Sequence, residues 1–87
     1  MSSMQTIAVL GAGSWGTALA VHLGRVGHRV RLWCRDARLA AEIESRRANA
    51  VYLPDVSLPE VVDVTGSLTS ALTGIDTTES EIVVVVR

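Results

Sequence analysis

Gly11, Gly13 and Gly16 stand at G-x-G-x-x-G spacing, directly after the apolar run Ile7-Ala8-Val9-Leu10 and before the helix-forming residues through Ala20. The chemistry this spacing serves is the close approach of backbone to a phosphate. Gly11 lets the chain turn sharply off a strand, and Gly13 has no side chain to hold a pyrophosphate away. Gly16 lets the new helix lie close on the strand it left. Amide groups at the start of that helix lack acceptors and carry its partial positive charge, which suits an anion. Ser14 adds a hydroxyl that can cap the helix or reach a phosphate. A glycine-rich turn alone is weak evidence, because a bland tight turn has the same composition. The strand before it and the amphipathic helix after it make dinucleotide binding the reading here.

The elements that must position this turn can be read from periodicity. Gln5 to Leu10 is expected as a buried parallel strand. Ser14 to Val26 is expected as a helix, with Leu19, Leu23 and Val26 on its inward face and Gly27 ending it in the left-handed region. Val30, Leu32 and Cys34 alternate with Arg29, Arg31 and Trp33 as a second strand. Asp36 is the expected N-cap of a second helix through about Arg47, with Leu39 and Ile43 inward. Asn49 to Pro59 reads as a loop broken by Pro54 and Pro59. Val61 to Thr65 is a third strand, and Ser67 or Thr69 starts a brief helix ending at Gly74. Ile75 to Ser80 reads as a polar linker, and Glu81 to Arg87 as a fourth strand. The order βαβαβαβ implies an α/β fold, a Rossmann-type parallel sheet comprising the first βαβαβ half plus a fourth strand, and so incomplete.

Composition narrows the function classes. The chain has 87 residues, a net charge of −1, 48% hydrophobic and 20% charged residues. That balance fits a soluble globular domain and implies no nucleic-acid partner. No apolar run approaches the ~20 residues of a membrane span, and the N-terminus lacks the charge of a signal peptide. Cys34 is the single cysteine, so no internal disulfide can form, and a reducing, cytoplasmic setting follows. It reads as a small buried hydrophobe rather than a reactive thiol. His22 and His28 read as solvated or packing residues, since no further ligand is spaced to help them hold a metal. All eight basic residues are arginines, so any chemistry needing a lysine cannot be done by this chain.

In an NAD-binding unit an acid at the end of the second strand holds the ribose 2′-OH. Cys34 takes that place here, and Arg35 follows, where a guanidinium could pair with a 2′-phosphate. This favours NADP over NAD. The competing reading gives the acid's role to Asp36, whose place as a helix N-cap already explains it.

The strings Gly11-Ala-Gly-Ser-Trp-Gly-Thr-Ala-Leu-Ala20, Leu32-Trp33-Cys34-Arg35 and Asn49-Ala50-Val51-Tyr52-Leu53-Pro54, with Leu58-Pro59, resemble bacterial NAD(P)-dependent glycerol-3-phosphate dehydrogenase. The resemblance implies interconversion of sn-glycerol 3-phosphate and dihydroxyacetone phosphate, which feeds phospholipid synthesis. It also implies that residues 1–87 are a truncated Rossmann domain, with the helical substrate domain lying outside them. Carried over by position, Ser14, Trp15 and Arg35 match cofactor-contacting residues, and Tyr52 matches an aromatic position on the cofactor side. The family's catalytic lysines lie beyond residue 87, so no catalytic residue is assigned. Bland roles stand beside these: Trp15 covering the sheet edge, and Tyr52-Leu53-Pro54 locking a loop on the second helix. A free-standing nucleotide-binding module and an inert truncation product are the rival readings. The strand order 3-2-1-4 would leave Ile82 to Val86 as an uncharged edge able to recruit other chains.

Overall fold

The computed structural model describes residues 5–73, 75 and 82–85. Its elements are β1 (Thr6–Leu10), α1 (Ser14–Arg25), β2 (Arg29–Trp33), α2 (Ala37–Arg46), β3 (Ala48–Asn49), β4 (Leu53–Ser57), β5 (Val62–Thr65), α3 (Leu68–Leu72) and β6 (Ile82–Val85). β1, β2, β5 and β6 form a parallel sheet in the order β5-β2-β1-β6. Ile7 lies opposite both Val30 and Ile82, and Val30 lies opposite Val62. The expected Rossmann-type order is therefore present. Gly74, the residues 76–81 of the linker and strand start, and Val86 and Arg87 lie outside the described residues.

Strand order decides where the helices go. The steps β1 to β2 and β2 to β5 run the same way across the sheet, so right-handed crossovers put α1 and α2 on one face. The next step, to β6, runs back, and α3 falls on the other face. Ile7, Val9, Val30, Leu32, Val62 and Val64 make the row under α1 and α2, where they join Ala20, Val21, Ala40 and Ile43 in one core. Arg31 belongs to the opposite face, since side chains alternate along a strand. There its guanidinium donates to the Ser70 and Thr73 carbonyls at the end of α3, a favourable place for a cation.

α1 corrects one expectation. Its buried residues are Gly16, Thr17, Ala20, Val21 and Gly24, while Leu23 is only partly buried and Val26 is 57% exposed. The helix turns its small residues inward, so it lies close on β5. A Cβ at Gly24 would stand 2.9 Å from Val62 Cγ2 and 3.2 Å from Pro59. The helix ends as expected at Gly27, whose φ is 105°. His28 N–H donates to the Leu23 carbonyl and Gly27 N–H to that of Gly24, the paired bonds of a Schellman stop. Asp36 caps α2, accepting from the Arg38 and Leu39 amides at 2.9 and 3.3 Å. Ser67 caps α3 through the Ser70 amide.

The expected loop from Asn49 to Pro59 instead contains β4, which pairs antiparallel with β3, Ala48 opposite Ser57 and Asn49 opposite Leu53. A register shift lies in this pairing, and Asp55 has a positive φ of 68°. Pro54 is accommodated within β4 because the ribbon is short and no further strand among the described residues lies beside it, and Pro59 follows after the strand has ended.

The outer edge of β5 is covered by side chains. Val61 and Thr65 carbonyls accept from β2, so the alternation of a parallel ladder turns the groups of Val62 and Val64 outward. Arg47 Nη2 donates to the Val62 and Pro59 carbonyls at 2.6 and 2.8 Å, and Glu44 Oε2 accepts from the Val64 amide at 3.2 Å. Arg47 also pairs with Glu44 Oε1. It does so from a left-handed backbone, φ 56°, at the C-cap of α2.

Candidate functional site

The glycine turn is built as its spacing requires. Gly11 has φ 136°, which a residue with a side chain rarely adopts. Its amide donates to the Trp33 carbonyl at 3.0 Å, holding the turn at the end of β2. Gly13 is the N-cap of α1, in extended conformation and without a side-chain cap. The first bond of the helix runs from the Thr17 amide to the Gly13 carbonyl at 2.9 Å. The amides of Ser14, Trp15 and Gly16 therefore precede any intrahelical acceptor, and no acidic residue occupies the first turn. An ideal Cβ on Gly13 would meet nothing within 4 Å. The turn is open on the side where a phosphate could stand.

Beside it lies a cleft of about 250 Å³. Ala12 and Gly13 form one wall, Cys34, Arg35 and Asp36 the end of β2, and Leu39 and Tyr52 the remainder. The cleft is thus bounded by the phosphate-type turn on one side and by an exposed arginine on the other. It could hold the ribose end of a nucleotide, with the turn receiving its phosphates.

Of the residues singled out from the sequence, Gly13, Arg35 and Tyr52 meet at this cleft. Gly11 shapes the turn, and Gly16 is buried under the helix start. Ser14 does not cap α1: its hydroxyl donates to the Tyr52 carbonyl. Trp15 is 68% exposed, so it covers little of the sheet, and it stands outside the cleft lining. Cys34 is buried, as expected. Burial pushes its thiol pKa up; a backbone hydrogen bond at Asp36 partly opposes this, and the Asp36 carboxylate adds a smaller upward push. The Asp36 carboxylate is turned to the start of α2, as its capping role requires.

Two residues of the site went unread in the sequence, Asn49 and Thr17. Asn49 is fully buried. Its amide donates to the Ala12 carbonyl at 2.8 Å and to Thr17 Oγ1 at 2.9 Å. Its Oδ1 accepts from the Tyr52 amide at 3.2 Å, and Thr17 Oγ1 donates in turn to Ala12 at 3.2 Å. The Asn-x-x-Tyr spacing was the available signal, because an asparagine side chain readily accepts from an amide a few residues on. Among the described residues no cluster of three His, Cys, Asp or Glu could hold a metal. No helix among them is long and apolar enough to cross a membrane.

Comparison with known proteins agrees with this geometry. Residues 6–86 match the family model described as NAD-dependent glycerol-3-phosphate dehydrogenase N-terminus. Glycerol-3-phosphate dehydrogenase [NAD(P)+] of Halorhodospira halophila is 58% identical over 71 residues, 82% of this chain and 21% of that one. The enzyme of the same name from Koribacter versatilis is 56% identical over 72 residues, with the same shares, 82% and 21%. A crystal structure of glycerol-3-phosphate dehydrogenase from Coxiella burnetii superposes with a TM-score of 0.82 at 40% identity, covering 94% of this chain and 24% of that one. The chain spans about a fifth to a quarter of the length of these relatives. On its sequence, its sheet order and its glycine turn, it belongs to the N-terminal family of NAD-dependent glycerol-3-phosphate dehydrogenases.

Proposed function

We propose that the chain binds and orients the dinucleotide of an NAD(P)-dependent glycerol-3-phosphate dehydrogenase. The observation that carries this reading is the open space at Gly13, at the start of α1 and on the wall of the cleft that Arg35 and Tyr52 share. The amides that open α1 would hold the pyrophosphate, and the cleft would take the adenosine ribose. Arg35 lines the cleft, where its guanidinium could pair with a 2′-phosphate, and Asp36 is engaged in capping α2; both support a preference for NADP, with NAD used as well. When bound, the reduced nicotinamide would supply hydride to the carbonyl carbon of dihydroxyacetone phosphate as its oxygen takes up a proton, and the oxidised form would accept hydride from sn-glycerol 3-phosphate as that proton is released. The part of this chain is binding and orientation. It has no lysine to polarise a carbonyl or hold the substrate phosphate, so residues 1–87 alone have no turnover. The parallel edge at β6 makes self-association part of the proposal, and the lone reduced cysteine fits a cytoplasmic setting. Calorimetric titration with NADPH and NADH tests the binding reading: saturable binding of both, tighter for NADPH, is expected. No heat with either would refute it.

A further inference from the structure

We infer that Asn49 is the positioning residue that turns the Gly13 amide outward, so that it joins the amides of Ser14, Trp15 and Gly16 in facing the pyrophosphate, an inference that rests on the dinucleotide reading above. The peptides here are trans, so the carbonyl and amide of one peptide group point in opposite directions. The Ala12 carbonyl is held inward by Asn49 Nδ2 at 2.8 Å and by Thr17 Oγ1 at 3.2 Å. The Gly13 amide of the same peptide must then project outward, on the side where its missing side chain leaves space. If that peptide flipped, a carbonyl oxygen would face the pyrophosphate and repel it. Asn49 and Thr17 are both nearly inaccessible to water, at 0% and 1% exposed, so no solvent competes for the bonds that prevent the flip. The same asparagine holds Tyr52 through its amide, and Ser14 holds Tyr52 through its carbonyl. Glycine turn and cleft wall thus move as one body.

The experiment separates aiming from mere support by using two ligands. ADP-ribose carries the pyrophosphate, whereas adenosine 2′-monophosphate reaches only the cleft and Arg35. Asn49→Asp keeps an acceptor for the Tyr52 amide but replaces the donor that holds Ala12. Thr17→Val removes the second donor, and Thr17→Ser restores it. At pH 8 we expect Asn49→Asp to bind ADP-ribose at least tenfold more weakly than wild type, and Thr17→Val about threefold more weakly, with recovery in Thr17→Ser. Binding of adenosine 2′-monophosphate should stay within twofold throughout. Equal losses for both ligands, or no loss for ADP-ribose, would overturn the inference. If Asn49→Asp lacks a cooperative thermal transition, the Thr17 pair decides by the same criteria. Wild type that binds adenosine 2′-monophosphate but not ADP-ribose overturns this inference alone. Wild type that binds neither overturns the dinucleotide reading beneath it as well.

Discussion

Arg47 offers a test in which two opposed effects sit on one residue. Its guanidinium holds the Val62 and Pro59 carbonyls at 2.6 and 2.8 Å, while its backbone is left-handed at φ 56°. Arg47→Met removes the charged donor and keeps the backbone strain. Hydrogen bonds from a charged group contribute about 1.5–3 kcal/mol each. Here that figure must be reduced, since the side chain is 34% exposed and the freed carbonyls can turn to water. Ordering an arginine side chain costs about 1.5–2 kcal/mol, which the variant regains. The ion pair with Glu44, itself 41% exposed, adds less than about 1 kcal/mol. The net loss is about 1–2 kcal/mol, or roughly 4–16 °C in Tm for a domain of this size. Arg47→Gly loses the same contacts but relieves a left-handed backbone, worth about 1 kcal/mol. The order of stability should be wild type, then Arg47→Gly, then Arg47→Met, measured by thermal denaturation followed by circular dichroism. A methionine variant as stable as wild type would refute the clamp, and a glycine variant less stable than the methionine one would refute the backbone strain.

Other outcomes follow from the same structure. Arg35→Ala should cut the preference for NADPH over NADH by tenfold or more in calorimetry, as loss of a charged bond of roughly 1.5–3 kcal/mol requires; an unchanged ratio argues that Arg35 does not meet the 2′-phosphate. Gly13→Val should abolish dinucleotide binding and leave the circular dichroism spectrum unchanged, since its Cβ meets nothing within 4 Å and its φ is −72°. Gly24→Ala should destabilise despite the roughly 1 kcal/mol that alanine gains in a helix. Its methyl would stand 2.9 Å from a buried valine, and a rise in Tm would show that α1 can move away. Finally, the raised pKa of Cys34 means that the unfolded chain gives up its thiol proton first. Stability from this site is complete below the ordinary thiol pKa and falls as pH rises above it. Urea titrations at increasing alkaline pH should show that fall, and Cys34→Ser should flatten it.

The parts of the fold legible in the sequence were those set by local rules. The glycine turn, the Asp36 cap and the Gly27 stop each depend on residues within one turn of each other. The sheet order was legible because short connections leave few topologies. The inward face of α1 was misread because hydrophobic periodicity weights large residues. This helix lies so near Val62 and Pro59 that only small ones fit beneath it, so Leu23 packs at the margin of the core and Val26 is exposed. Proline signals concealed β4, since a ribbon paired with a strand of two residues has too few positions to display a period. In the site, Gly13, Arg35 and Tyr52 were readable from motif position. The bonds of Asn49 to Ala12 and Thr17 join residues more than 30 positions apart, and no local pattern announces them.

The central place of β1 also bears on how the chain is made. Ile7 sits beside Val30, one helix further along, and beside Ile82, which emerges from the ribosome long afterwards. Loop-closure entropy grows only slowly with length, so the distant pairing costs little at equilibrium. It is the timing that differs. At about 5–20 residues per second, several seconds separate the completion of β2 from the arrival of β6. In that interval β1, β2 and β5 can assemble under α1 and α2, with Glu44 and Arg47 closing the β5 side. The side of Ile7–Leu10 that pairs with β6 in the finished sheet must wait for that partner, and in the interval it can accept another extended segment. Among these strands, the first to be synthesised is thus the last to have both its neighbours, and the nascent chain is most vulnerable to mispairing along it.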